Sequence, residues 1–238
     1  MKMVFNYLIT IIVILIGINA QAQNSDDNNE DYGIKKGRFY SALTFSLDQR
    51  KAENEDQLLR QVVDQDRLNY RIVGNGGYAI KDNFTLGFSM GYGQQREEIT
   101  FLDENDQEIT SKRLQRGFSI APNMRQYIPI GKGKLQIIVQ TELGLTFGES
   151  LERIFRSDDI DKINGNFFEL NLGVSPGVAL FFTRNWAFET TVNIAGLKTR
   201  VEEEVLNNNE ANKQRIETTS IDLQLNLLAL NLGVAYYF

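Results

Sequence analysis

The chain of 238 residues has no cysteine and no histidine, and only three prolines and one tryptophan. Without cysteine there is no disulfide framework, no lipid-anchor thiol, no thiol nucleophile and no soft-metal site. Without histidine, neither Ser-His nor Asp-His acid–base chemistry can be assembled. No catalytic residue, cofactor or metal ligand set is therefore expected, and the chain is not expected to be an enzyme. Basic excess is missing too: 25 Lys and Arg face 31 Asp and Glu, a formal net charge of −6. That balance speaks against a nucleic-acid partner, which would call for a basic stripe. Long apolar runs are scarce. The one at Leu8 to Ile18 is too short for a comfortable membrane-spanning helix, which needs about 20 residues.

That run instead belongs to an export signal. Lys2 supplies the charge, and Ala20-Gln21-Ala22 supplies a small-x-small cleavage site marked by Ala20 and Ala22. Residues 1–22 are expected to be a cleaved signal peptide and 23–37 a flexible periplasmic segment. Residues 38–238 then form one outer-membrane β-barrel with no second domain.

What the chain has in quantity is alternation. Eight segments each put apolar side chains on one face and small or polar ones on the other: Arg38 to Asp48, Leu68 to Ile80, Phe84 to Gly93, Leu114 to Ile130, Leu135 to Gly148, Phe167 to Phe182, Trp186 to Leu197 and Ile221 to Phe238. The third is the cleanest. Phe84, Leu86, Phe88, Met90 and Tyr92 alternate with Thr85, Gly87, Ser89, Gly91 and Gly93. The last ends on a rib of Leu232, Val234, Tyr236 and Phe238, unusual for a soluble terminus but suited to a wall facing lipid. Its apolar phase shifts near Leu227 and Leu228, which predicts a β-bulge there or else a strand whose upper part has left the bilayer.

Tight turns at Lys81-Asp82-Asn83, Gly131-Lys132-Gly133 and Thr183-Arg184-Asn185 alternate with long polar stretches centred on 52–66, 103–108, 157–164 and 207–213. Short turns at one end and long loops at the other are the habit of outer-membrane barrels. Aromatics gather near both ends as two interfacial girdles, Tyr78, Phe84, Tyr127, Phe182, Trp186, Tyr236 and Phe238 on the turn side, and Tyr70, Tyr92, Phe118, Phe147 and Phe168 on the loop side. A soluble lipocalin-like barrel would carry Lys, Glu and Asp along the second face. Here that face is largely Gly, Ser, Ala, Thr and Asn, which suits a crowded interior. The expected fold is all-β, an eight-stranded antiparallel up-and-down transmembrane β-barrel.

Two stretches carry a resemblance. Ala121-Pro122-Asn123-Met124-Arg125-Gln126-Tyr127 before a Gly-Lys turn, and Ser175-Pro176-Gly177-Val178-Ala179-Leu180-Phe181-Phe182-Thr183-Arg184-Asn185-Trp186-Ala187-Phe188-Glu189, resemble the small outer-membrane β-barrel family of Bacteroidota-type bacteria. That family is related in architecture to the OmpA transmembrane domain and to OmpX-like and OmpW-like barrels. The resemblance implies an eight-stranded barrel whose terminal strand, with Leu232, Val234, Tyr236 and Phe238 as assembly signal, is read by the barrel-assembly machinery. Gln126 departs from the pattern, standing where a lipid-facing apolar residue is usual.

Inward charges form the only notable constellation: Arg38, Arg71, Arg125, Glu142, Glu169 and Glu189. In a narrow lumen such charges are expected to pair. Paired, they close the barrel. Spaced by small lumen residues such as Gly91 and Gly144, they would line a polar path. The acidic runs Asp103-Glu104-Asn105-Asp106, Asp158-Asp159-Ile160-Asp161 and Glu202-Glu203-Glu204 are read as solvated charge rather than Ca²⁺ ligands. Gly74-Asn75-Gly76-Gly77 is read as a bend or bulge within a strand. Gln95 to Phe101 with Ile109 to Gln115, and Thr199 to Val205 with Ile216 to Asp222, are expected to project above the membrane as hairpins and to offer edges to a surface partner. The function expected is a non-enzymatic outer-membrane barrel with a structural or surface-interaction role in a Gram-negative bacterium. Its partners would be outer-membrane lipid, lipopolysaccharide and the assembly machinery. The alternative is a narrow channel for ions or a small hydrophobic solute.

Overall fold

A computed structural model describes residues 32–57, 60–102, 107–156, 159–223 and 230–238. The expected signal peptide, with Ala20 and Ala22, lies outside the described residues, as do the acidic run at 103–106 and position 158. Ten antiparallel strands follow one another: β1 (Phe39–Gln57), β2 (Arg60–Lys81), β3 (Phe84–Leu102), β4 (Glu108–Ile130), β5 (Leu135–Phe155), β6 (Ile160–Phe181), β7 (Trp186–Thr191), β8 (Ala195–Leu206), β9 (Lys213–Leu223) and β10 (Asn231–Tyr237). Eight of them, β1 to β7 and β10, close a ring, because β10 pairs with both β7 and β1. Closure leaves no unpaired backbone around the lower wall, the condition for a strand structure to stand in hydrocarbon.

Alternation fixes the faces. Leu86, Phe88, Met90 and Tyr92 on β3, Phe118 and Met124 on β4, Leu143 and Phe147 on β5, and Phe168, Leu170 and Leu172 on β6 are all exposed outward. The same belt continues through Phe188 on β7, Leu232 and Val234 on β10, and Leu43, Phe45 and Leu47 on β1. Water would not tolerate so continuous an apolar girdle, whereas hydrocarbon requires it. The fold is therefore a transmembrane β-barrel of eight antiparallel strands. The opposite faces point into the lumen, where Ala79, Ala179, Ala187 and Ala235 leave room for larger neighbours. The three tight turns all lie at one end, here called the turn end, and Phe238 lies there too, exchanging two backbone hydrogen bonds of 2.9 Å with Phe39.

The strands are much longer than the apolar belt. The stretch around 52–66, expected as a loop, is mostly hairpin, with β1 and β2 in register from Phe39↔Tyr78 to Gln57↔Arg60. Polar cross-strand pairs such as Lys51 with Asp66 extend the ladder once the wall has left the lipid. Likewise β6 begins at Ile160, inside a stretch expected as loop. The two hairpins expected above the belt are present as the upper parts of β3 with β4 and as β8 with β9.

The seventh expected segment is two strands. Regular strand pairing lapses over 192–194, although Val192 and Ile194 still donate to the Pro176 and Val174 carbonyls of β6 at 2.9 and 3.2 Å; β7 pairs with β10 while β8 pairs with β9. The phase change expected at Leu227 and Leu228 lies outside the described residues; β9 and β10, on either side of it, have different partners. Above Ser46, β1 pairs with β2 alone, and β9 pairs with β8 alone, among the described residues. Outward side chains on these two stretches are mainly polar, Gln49 and Lys51 on β1 and Arg215, Glu217 and Thr219 on β9, so both stand largely above the belt.

Two further expectations are corrected. Gly74-Asn75-Gly76-Gly77 holds regular register with β1, and Gly77 lies under the Tyr40 ring, which a side chain there would strike. Residues 32–37, expected within a flexible lead, cross the turn end. Tyr32 and Ile34 are buried, and the Asn83 side chain and backbone bracket Ile34, accepting from its N–H at 3.1 Å and donating to its carbonyl at 2.7 Å. The Gln136 amide donates to the Tyr32 carbonyl at 2.7 Å. Burial of two apolar side chains and these bonds offset the entropy of ordering the segment.

Candidate functional site

The lumen is closed at its turn end and, among the described residues, open at its loop end. Closure is layered. Lowest are Tyr32 and Ile34 with Phe181, then the rings of Tyr40, Tyr127 and Tyr237, all buried. Phe181 and Tyr237 approach to 5.1 Å between ring centroids, and Tyr40 and Tyr237 to 5.8 Å. On this aromatic floor sits the ion pair of Arg125 on β4 and Glu189 on β7, 2.9 Å apart with side chains 2% and 3% exposed.

Both members of the pair are held from several sides. Arg125 donates through Nε to Gln140 Oε1 at 2.6 Å and lies 4.7 Å from the centre of the Tyr40 ring. Glu189 Oε1 accepts from the Tyr237 hydroxyl at 2.6 Å. Gln140 then donates to Glu142 at 2.9 Å. An ion pair this buried is stable only with such support, since desolvation of either charge alone costs several kcal/mol.

The six charges singled out from the sequence are thus not one network. Arg125 and Glu189 meet, and Gln140 links them to Glu142. Glu169 lies higher, paired with Lys198 at 2.9 Å and near Arg200 at 3.9 Å. Arg71 stands between, donating to Ser119 at 3.2 Å. Arg38 is corrected: it precedes β1 and folds over the turn-end rim, where it donates to the Arg184 carbonyl at 2.5 Å and the Tyr237 carbonyl at 3.3 Å. A residue just outside its strand is free of the in–out alternation that placed it in the lumen.

Tyr127, expected in the turn-side girdle, is corrected as well: it points inward. Its parity with Asn123 and Arg125 carried that information, and Phe181 and Tyr237 share parity with Ala179 and Ala235 in the same way. Gln126 faces outward, in register with Phe84 and Val139.

Above the pair the lumen opens in stages. A cavity of about 40 Å³ lies among Arg71, Arg125, Gln140 and Glu142. Arg71 also borders a second of about 200 Å³ with Glu169, Lys198 and Arg200. Those two cations reach a third, about 560 Å³, bounded partly by β9. There Glu202 accepts from Ser150 at 2.5 Å and pairs with Arg200 at 2.9 Å and Arg113 at 3.5 Å. Burial and the neighbouring Glu202 push the Glu204 carboxyl up from its ordinary pKa. Glu203, on the outer face, is held down by its hydrogen bond and charge contact with Lys213. The run Glu202-Glu203-Glu204 is therefore split between two faces. No cluster that could hold a metal occurs among the described residues.

Fold and site define a membrane barrel with a sealed turn end and a charged vestibule. No protein-family model and no curated protein matches the chain. Solved structures are similar at low identity. The outer membrane protein OprG from Pseudomonas aeruginosa is 14% identical over 88% of this chain and 99% of its own, with TM-score 0.39. A major outer membrane protein from Thermus thermophilus is 14% identical over 84% of this chain and 99% of its own, with TM-score 0.40. Neisserial surface protein A is 17% identical over 85% and 98%, with TM-score 0.29. These values are too low to transfer a family or a role, and the barrel stands on its own strand ring.

Proposed function

We propose that this chain is an integral outer-membrane β-barrel protein of a Gram-negative bacterium, non-enzymatic, with a structural or surface-interaction role. The buried Arg125–Glu189 pair on its aromatic floor carries this reading, because it fills the turn end with close-packed side chains and leaves neither charge unpaired. The export signal, the apolar belt and the contrast of short turns with long hairpins support the location. Leu232, Val234, Tyr236 and Phe238 share one outward parity, as an assembly signal offered to the barrel-assembly machinery would. Planar-bilayer recording of the refolded protein tests the closure, with no steady openings expected.

A second reading, a narrow channel for ions or a small hydrophobic solute, is favoured by the three cavities stepping down to Arg125. Steady openings that disappear when Gly144 is replaced by a bulky residue would establish it. A Cβ at Gly144 would meet the Asn171 side chain at 3.3 Å, so a larger group would block the lumen there.

A further inference from the structure

Between two and six residues beyond the outward aromatics Tyr92, Phe118, Phe147 and Phe168, the outer faces of β3 to β6 carry Arg96, Lys112, Arg116, Arg153 and Lys162. Two acids accompany them. Glu98 takes Lys112 at 2.8 Å and Arg96 at 3.8 Å, and Glu149 takes Arg116 at 2.7 Å. Arg153 and Lys162 have no acidic partner among the described residues. Yet Lys112, Arg153 and Lys162 are direct cross-strand neighbours on three adjacent strands. Like charges in that relation repel across about 5 Å.

Described cations on the outer faces of β1 and β9 have acids beside them. Lys51 has Asp66 at 3.8 Å, Lys213 has Glu203 at 2.8 Å and Arg215 has Glu217 at 2.7 Å. The unpaired positive charge is thus gathered on β5 and β6, and it lies on the water side of the aromatic girdle, where lipid headgroups and their phosphates extend.

Resting on the membrane location proposed above, we infer that this patch binds the phosphate groups of an outer-leaflet glycolipid headgroup. A phosphate between Arg153 and its two lysine neighbours replaces their repulsion with charge-assisted hydrogen bonds, the guanidinium giving a fork and the ammonium groups point charges. The acyl chains of the same lipid would lie against Phe147 and Phe168 below. A free anion makes only the first of these contacts.

The test uses the full barrel inserted in phosphatidylcholine vesicles, titrated with purified lipopolysaccharide or with the same lipid after enzymatic dephosphorylation. The phosphorylated form should bind at least about tenfold more tightly, and Arg153→Ala with Lys162→Ala should remove about that factor. Lys51→Ala with Lys213→Ala should leave it unchanged. Heat-modifiable gel mobility establishes that each variant is folded. Equal binding of both lipids, or equal loss in both double variants, overturns the inference, as does full displacement by millimolar inorganic phosphate. A chain that never enters vesicles sinks the membrane location and the headgroup site together. One that enters and ignores lipid phosphate sinks the site alone.

Discussion

Replacing Glu189 with alanine strips Arg125 of its acidic partner at the closed end. What remains around the guanidinium is Gln140 at 2.6 Å, the Tyr40 ring at 4.7 Å and the Tyr127 side chain, none of which neutralises a charge. The Tyr237 hydroxyl also loses its 2.6 Å acceptor. Leaving one member of a buried ion pair costs about 3–5 kcal/mol. Arg125→Ala should cost a similar amount, because it strands the carboxylate instead. The two losses overlap, so the double alanine variant should be destabilised by clearly less than their sum, with a coupling of at least about 1 kcal/mol. Arg125→Met with Glu189→Leu should recover most of the loss by filling the space without charge. Urea unfolding in vesicles, followed by heat-modifiable mobility, gives all four values. Single variants each within about 1 kcal/mol of the parent, and additive, would refute the view that this pair is desolvated and mutually dependent.

Asn83→Ala should release residues 32–37 to added protease while the barrel stays folded, since Asn83 holds Ile34 and occupies a φ of 58° that alanine resists. On acidification Glu204 should take its proton at higher pH than Glu203, read by carboxyl ¹³C shifts. Glu203's depressed folded pKa means its contribution is present above the unfolded carboxylate value and is lost as pH falls through the folded one. The raised pKa of Glu204 has the opposite sign, favouring the fold once protonated; a reversed order of titration would contradict the burial described here. Deleting Phe238 removes both its backbone bonds to Phe39 and a ring stack at 5.9 Å, and should slow refolding measured by gel mobility.

The wall was readable because a period of two converts sequence directly into facing. Leu86, Phe88, Met90 and Tyr92 needed nothing more. The same rule located Arg125 and Glu189 on the inner face, but whether they touch depends on how far each strand is staggered round the ring, which alternation does not encode. Tyr127 and Tyr237 were obscured by a different ambiguity: a tyrosine is at home both in an interfacial girdle and in a hydrogen-bonded interior. The strap at Tyr32 and Ile34 is too short to show a period. The split of the seventh segment at 192–194 coincides with a change of partner, from β10 beside β7 to β9 beside β8, a long-range pairing without a local signature.

The closing strand has a kinetic consequence. β10 completes the ring by pairing with both β7 and β1, and β1 lies almost the whole described sequence away. The wall therefore cannot close until β10 has been made, and β1 must wait with one edge open while the hairpins between them assemble.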